Sequence, residues 1–278
     1  MSEALVSTDW LHEHLQAPDV RVVDATWFLP GGERNARAEH EEAHIPGAVY
    51  FDVDAVGEAR GLHPHMVPSA AKFSSRVRKL GLGDGSRIVV YDANRFFASA
   101  RVWWLFRLMG HEDVLVLDGG LEKWRAEGRP VTDMPTRPQE RHFTVRQNTL
   151  LHRELDQVRA NLTSKREQVV DARSAGRFHA REPEPRAGLR SGHIPGSLNL
   201  HYAGLIAADG TLKPAVELRQ ALAAAGVDPA RPVVTTCGSG VSAAIINLAL
   251  FELGARQAAL YDGSWSEWGA QPDTPVAS

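Results

Sequence analysis

The chain has 278 residues, of which 43% are hydrophobic and 23% charged, and its formal net charge is −3. This composition is typical of a globular protein with about two domains. The small net charge gives no reason to expect a nucleic-acid or membrane partner. The single cysteine excludes an internal disulfide and a cysteine-rich zinc site. No apolar run is long enough for a secretory signal or a membrane span, so we expect a cytoplasmic protein.

Three stretches of the first half recur in the same order in the second half. They are VVDAT (22–26) with VVDAR (169–173), AHIPGAV (43–49) with GHIPGSL (192–198), and LDGGLEKW (117–124) with YDGSWSEW (261–268). The spacing of about 145 residues is too long for a solenoid repeat and indicates a duplicated domain. A segment rich in prolines and charges lies between the copies, which is typical of a linker. We therefore predict a first domain at 1–130, a linker at 131–148 and a second domain at 149–278.

Strand and helix patterns alternate within each copy. In chain order, the second copy predicts a strand at 168–173, a turn at 192–197, a helix at 214–226, a strand at 231–237, a helix at 241–254 and a strand at 257–263. Continuous apolar strands separated by helices indicate an α/β domain whose parallel sheet has helices on both faces. Ligands of such sheets bind beyond the carboxyl ends of the strands, which is where Cys237 falls.

Cys237 is followed by a glycine-rich loop, which comprises Gly238, Ser239, Gly240, Val241 and Ser242. The backbone N–H groups of such a loop, at the start of a helix, can surround a sulfur atom and favour the thiolate. A buried structural thiol is the alternative interpretation. Cysteine phosphatases need an arginine six positions after the nucleophile, and this chain has Ala243 there, so phosphate would lack its charged partner. Sulfur transfer through a persulfide needs a compact neutral loop and fits better.

The chain resembles the tandem-domain sulfurtransferases of the rhodanese family over nearly its whole length. Its loop is similar to the Cys-Gly-Ser-Gly-Val-Thr pattern of the 3-mercaptopyruvate branch, with Ser242 where threonine is usual. Thiosulfate-specific members carry Arg and Lys where this chain has Gly238 and Ser239. The stretches GRF, PEPR, GHIPG and YDGSWSEW are further marks of the family. The resemblance implies two tandem rhodanese-like domains with one active site, in the second. Asp92 takes the place of Cys237 in the first copy, so we expect that domain to be catalytically silent.

Four arginines lie in the stretch GRFHAREPEPRAGLR, and the resemblance singles out two of them. Arg177 and Arg186 match positions that hold the donor in the mercaptopyruvate branch, and arginine suits the carboxylate of an α-keto acid. Arg181 and Arg190 have no such support. Because two glutamates are interleaved, a solvated and partly self-neutralised loop is the alternative interpretation.

The resemblance also implies a proton relay of Asp54, His65 and Ser239. Cleavage of a carbon–sulfur bond leaves an enolate, so a group is needed to manage the thiol proton and the developing negative charge. A surface histidine–aspartate pair without a catalytic role is the alternative.

Four residues recur at matching places in both copies, including the copy that has no cysteine. They are His44 with His193, and Trp124 with Trp268. We therefore predict a structural turn at the histidines and packing roles for the tryptophans, rather than roles in catalysis.

We expect an enzyme that moves sulfur from 3-mercaptopyruvate to a thiol or cyanide acceptor through a Cys237 persulfide and releases pyruvate. No metal or organic cofactor is required, and thioredoxin is a candidate thiol acceptor. The alternatives are a thiosulfate:cyanide sulfurtransferase and a non-enzymatic persulfide carrier. The uncharged loop argues against the first alternative. The predicted arginine clamp argues against the second, because a carrier needs no pocket for a keto acid.

Overall fold

The structure is a computed structural model that describes residues 4–29, 31–60 and 63–278, with Arg60 described by its backbone alone. Residues 1–3 of the predicted first domain, together with Pro30 and 61–62, lie outside the described residues. The chain forms two compact units. The first comprises the residues up to Glu58, Val67–Asn148 and Ala207–Leu212, and the second comprises Ala59–Met66, Thr149–Ile206 and Lys213–Ser278.

The elements up to residue 148 are β1 (Leu5–Val6), α1 (Thr8–His14), β2 (Val20–Asp24), α2 (Ala36–Glu42), β3 (Val49–Tyr50), α3 (Val53–Val56), β4 (Glu58–Arg60), β5 (His63–Met66), α4 (Ala70–Lys79), β6 (Arg87–Tyr91), α5 (Ser99–Leu108), β7 (Val114–Leu117) and α6 (Gly120–Ala126). The first unit contains a parallel sheet in the order β1-β7-β6-β2-β3. Strands β4 and β5 form a separate two-stranded sheet.

The elements after residue 148 are β8 (His152–Arg153), α7 (Leu155–Ser164), β9 (Gln168–Asp171), α8 (Ala175–Phe178), β10 (Leu198–Asn199), α9 (Ala215–Ala224), β11 (Val233–Thr236), α10 (Ala243–Glu252), β12 (Ala259–Tyr261) and α11 (Ser264–Trp268), with 3₁₀ helices at Thr149–Leu151 and Tyr202–Leu205. The second sheet is also parallel and has the order β10-β9-β11-β12-β8. Read from β8, this is the strand order of the first sheet. The α/β fold with two like domains, each a parallel sheet flanked by helices, is therefore confirmed.

The residues predicted to be structural make the same contacts in both units. The Nδ1 of His44 donates to the carbonyl of His40, and that of His193 donates to the carbonyl of Phe178. Trp124 and Trp268 are both fully buried, and each indole N–H donates to a proline carbonyl at 2.8 Å. The predicted packing role of these tryptophans is confirmed. The two histidines also form matching backbone bridges, His44 with Thr132 and His193 with Ala277.

Helix α10 explains why the segment after the loop is apolar on every side. All of its residues from Ala243 to Phe251 are buried, so it packs within the second unit rather than on its surface. Its N-terminus, just after Ser242, follows the carboxyl end of β11 with only the loop 237–242 between them.

The segment predicted as a linker has no helix or strand within 131–148, yet it is part of the first compact unit. Asp84 accepts hydrogen bonds from the backbone N–H and the hydroxyl of Thr144, and Phe143 is 3% exposed. Backbone N–H groups of Arg146 and Asn148 donate to carbonyls at the end of α5. The predicted boundaries at 130 and 149 stay predictions. The compact units differ from them by including 59–66 in the second unit and 207–212 in the first.

No helix in the described part of the chain has the length and apolar character needed to cross a bilayer.

Candidate active site

Cys237 follows the last residue of β11, where strand and helix meet. Thr236 is paired with Asp171 at the end of β9, so the cysteine lies at the carboxyl edge of the second sheet. Its side chain is 2% exposed, and the thiol is free. The predicted position of the cysteine, between a strand and a helix at the carboxyl edge of the sheet, is confirmed.

The start of α11 braces the loop that follows Cys237. The Cys237 N–H donates to the Ser264 hydroxyl at 3.2 Å, and the N–H of Trp265 donates to the Cys237 carbonyl at 2.9 Å. Ser266 donates to the Gly238 carbonyl through its hydroxyl at 2.6 Å and through its N–H at 2.9 Å. Sequence reasoning recognised the stretch YDGSWSEW as a family mark but missed this role of its two serines.

The loop itself is compact and closed. Ser239 and Ser242 are each 9% exposed and Val241 is 2% exposed. Gly240 has φ of +78°, a left-handed conformation that an L side chain would strain. Glycine at this position therefore allows the chain to turn around the cysteine and enter α10.

Two of the three residues of the predicted relay, Ser239 and His65, are hydrogen-bonded to each other. The distance from His65 Nε2 to Ser239 Oγ is 3.2 Å, and the histidine is 3% exposed. His65 lies on β5, which belongs to the same compact unit as Ser239. Its φ of +45° is unusual for a residue other than glycine, which indicates that the surrounding structure holds the ring in place.

Asp54, the third residue of the predicted relay, lies on α3 in the first unit. Its carboxylate accepts a hydrogen bond from the indole of Trp27 at 2.7 Å, and this tryptophan stacks on Phe97. The link from Asp54 to His65 stays a prediction.

Arg177 is anchored beside the cysteine loop by a buried carboxylate. Its Nη2 donates to Glu184 at 2.6 Å, and its Nε donates to the same carboxylate at 3.3 Å. A Cβ added to Gly238 would lie 3.1 Å from this Nη2, so the guanidinium borders the loop directly. The glutamate also accepts from Arg173, which is paired with Asp171.

The other three arginines of the stretch have different surroundings. Arg186 is half-buried, and the described residues provide it with no hydrogen bond or ion pair. Arg181 is exposed. Arg190 donates to main-chain carbonyls between Trp268 and Thr274, which makes it a structural residue. Of the two arginines predicted to hold the donor, Arg177 borders the loop and Arg186 has its guanidinium available.

Tyr202 is a residue of this region that sequence reasoning missed. It begins a 3₁₀ helix, and its N–H donates to the carbonyl of Ala172. Burial raises the pKa of Tyr202, the charge of Cys237 raises it further, and Arg177 opposes the rise. The tyrosine is therefore within electrostatic range of both groups, and no motif in the sequence pointed to it.

The corresponding loop of the first unit surrounds a carboxylate. Asp92 is 1% exposed and accepts hydrogen bonds from four backbone N–H groups at 2.8–3.1 Å, those of Asn94, Phe96, Ala98 and Ser99. Burial raises the pKa of Asp92, and these hydrogen bonds oppose the rise. In the first unit, the Asp92 carboxylate therefore occupies the space that these four backbone amides enclose.

Two stretches of the chain, residues 7–127 and 154–271, match the Rhodanese-like domain family. The chain belongs to the rhodanese family. Among rhodanese-family relatives, it is 39% identical to 3-mercaptopyruvate sulfurtransferase from Homo sapiens, with 100% of this chain and 96% of the relative covered. It is 44% identical to thiosulfate sulfurtransferase from Bos taurus, with 99% and 95% covered. The crystal structure of SseA from Escherichia coli, described as a 3-mercaptopyruvate sulfotransferase with the rhodanese fold, is similar with a TM-score of 0.87 and 36% identity over 96% of this chain and 100% of that one.

Proposed function

We propose that this rhodanese-family chain is a 3-mercaptopyruvate sulfurtransferase. Sulfurtransferase relatives at about 40% identity over the full length support the reaction class. The observation that carries the choice of donor is the neutral loop: the two residues after Cys237 are Gly238 and Ser239, which add amides and one hydroxyl but no charge. A singly charged α-keto acid, whose carboxylate reaches a more distant arginine, suits such a loop.

The thiolate of Cys237 attacks the sulfur of the donor. The carbon–sulfur bond breaks, and its electron pair passes to the organic fragment, which becomes the enolate of pyruvate and takes up a proton. The product on the protein is a Cys237 persulfide. An acceptor thiol or cyanide then attacks the outer sulfur and regenerates the cysteine. The reaction requires no metal or organic cofactor.

The side chains around the loop have separate roles in this proposal. The amides of Gly238, Gly240, Val241 and Ser242 surround the outer sulfur, and Arg177 and Arg186 bind the donor carboxylate. Ser239 and His65, with Asp54 beyond them, move the thiol proton towards the enolate. The hydrogen bond of 3.2 Å between Ser239 and His65 supports the first step of this relay.

The first domain, at 1–130, is catalytically silent in this proposal and precedes a linker at 131–148 and the catalytic domain at 149–278. Its support is the Asp92 carboxylate, which occupies the place of the cysteine and cannot accept a sulfur atom. We further propose that the protein acts in the cytoplasm, where reduced thiols such as thioredoxin are available as acceptors.

The second candidate is a thiosulfate:cyanide sulfurtransferase. It is favoured by the slightly higher identity to the Bos taurus thiosulfate enzyme, 44% against 39% for the Homo sapiens mercaptopyruvate enzyme. Thiosulfate is a dianion, and its leaving group is also anionic, so its transition state gains from cations beside the sulfur. The loop of this chain carries none.

Steady-state kinetics with both donors test the proposal. Pyruvate release from mercaptopyruvate and sulfite release from thiosulfate are measured at one cyanide concentration, with Cys237→Ser as the control. We expect a higher kcat/KM for mercaptopyruvate and no transfer in the variant. A higher kcat/KM for thiosulfate would overturn the choice of donor, and turnover by Cys237→Ser would overturn the persulfide route.

A further inference from the structure

Glu184 is a buried carboxylate that the proposed reaction does not use. Its side chain is 2% exposed, and it accepts from the Nη1 of Arg173 at 2.7 Å and from the Nη2 of Arg177 at 2.6 Å. Arg173 itself is 1% exposed and also donates to Asp171. Burial lowers the pKa of Arg173, but Asp171 and Glu184 raise it on balance, so this guanidinium stays protonated.

The charges of this cluster cancel. Two carboxylates, Asp171 and Glu184, face two guanidiniums, Arg173 and Arg177, and only Arg177 has an appreciable exposed fraction, 23%. Arg177 therefore offers N–H groups to a ligand beside the cysteine loop, while its positive charge is already compensated. Arg186, which is half-buried, has no such carboxylate partner among the described residues, so its charge is not compensated in this way.

We propose that Glu184 is a specificity-determining positioning residue, which holds Arg177 beside the loop and cancels its charge so that the site selects a singly charged donor. The inference rests on the proposed function. A monoanionic keto acid is matched by Arg186, the arginine of the predicted clamp that has no carboxylate partner among the described residues. A dianion such as thiosulfate brings a second negative charge into a site where Glu184 already neutralises the second arginine.

The test is Glu184→Gln, which keeps the shape of the side chain and one of its two acceptor oxygens but removes its charge. The ratio of kcat/KM for mercaptopyruvate to kcat/KM for thiosulfate should fall by about tenfold, mainly through a gain for thiosulfate. That gain should weaken as salt is added, because the Arg177 charge is partly exposed to solvent. The matched control is Glu182→Gln: this glutamate lies in the same stretch, accepts a hydrogen bond from the Ser174 hydroxyl, and forms no ion pair with Arg177 among the described residues.

Two further variants separate specificity from simple structural damage. Glu184→Asp keeps the charge with altered reach, and it should lower both values of kcat/KM while preserving their ratio. In an Arg177→Gln background, Glu184→Gln should no longer change the ratio, because there is no arginine charge to release. Circular dichroism confirms folding for each variant, and Arg173 retains Asp171 as a partner throughout.

An equal fall for both donors in Glu184→Gln, or the same shift in ratio in Glu182→Gln, would overturn the inference and leave Glu184 as a structural residue. These outcomes are read relative to the native ratio. If the native protein already prefers thiosulfate, the proposed function fails, whereas an unchanged ratio in Glu184→Gln with a native preference for mercaptopyruvate defeats only this inference.

Discussion

Arg177 and Arg186 present two different kinds of cation to the donor, one held by Glu184 and one without a partner among the described residues. Replacing either by alanine removes a charge-assisted contact of about 1.5–3 kcal/mol, which corresponds to roughly 10- to 150-fold. We expect this loss in kcat/KM for mercaptopyruvate. Arg181→Ala is the control, because that side chain is exposed. Unchanged kinetics in both variants would show that the arginine stretch is only a solvated loop.

The contact between Ser239 and His65 predicts where a proton moves. Ser239→Ala and His65→Ala should each lower kcat for mercaptopyruvate by about 10²–10⁴-fold, the usual contribution of a positioned acid or base. The two changes together should lower it little further, because they interrupt one path. Rapid-mixing measurement of pyruvate formation locates the effect in carbon–sulfur cleavage. A normal kcat in both single variants would remove the relay from the mechanism.

At the scale of elements, the segment 131–148 is fastened to the first unit through Asp84. Hydrogen bonds from the Thr144 hydroxyl and N–H lower the pKa of Asp84 to about 2. Because the folded-state pKa is below the value of about 3.9 in an unfolded chain, the contribution is present above pH about 4 and is lost as the pH falls towards 2.

Asp84→Asn should therefore destabilise the protein near neutral pH by about 1 kcal/mol or less, since solvent screens a carboxylate that is 47% exposed. The difference from the native protein should shrink between pH 4 and 2. Urea unfolding at several pH values measures it. Asp113→Asn, at an exposed carboxylate paired with Arg87, is the matched control. A difference that stays constant across this pH range would contradict the assignment.

Much of the second unit follows from local pattern. The apolar runs before Cys237 and at 168–173 are strands β11 and β9, and the helix predicted at 241–254 is α10, which begins slightly later because the loop occupies Val241 and Ser242. The periodicity of apolar residues and the capping of helices depend on residues that are close together in the chain, so a single sequence reveals them. The same holds for the glycine loop and for the position of Cys237.

What a pattern could not reveal are contacts between distant segments. His65 lies in the stretch GLHPHMVP, which lacks the alternation of apolar and polar residues typical of a strand and contains a proline within β5. Its hydrogen-bond partner, Ser239, is 174 positions away in the sequence. The brace from Ser264 and Ser266 depends on the return of the chain to the sheet edge after β12. Interleaved charges in the arginine stretch suggested partial neutralisation, but only the fold shows which glutamate neutralises which arginine.

At the scale of the whole molecule, the duplication has left different residues after the matching strands β11 and β6, Cys237 in the second unit and Asp92 in the first. Incubation with the donor alone should therefore add one sulfur atom per chain, about 32 Da, at Cys237. Intact-mass and peptide spectra measure this addition. Cys237→Ser should gain none, and Asp92→Ala should still gain one. A second sulfur on the native chain would contradict the division of roles between the units.

The composition of the two compact units limits how the chain can be divided into separately expressed parts. Residues 59–66 belong to the second unit and 207–212 to the first. Dividing the gene within 131–148 therefore places His65 and Ser239 in different fragments. Neither half is then a self-sufficient module for fusion or transplantation. In a circular permutant, the original termini are joined and the chain is opened within 131–148. Such a permutant would keep residues 59–66 and 207–212 in one polypeptide with their units. It would therefore retain His65 as the partner of Ser239, which an isolated second half lacks.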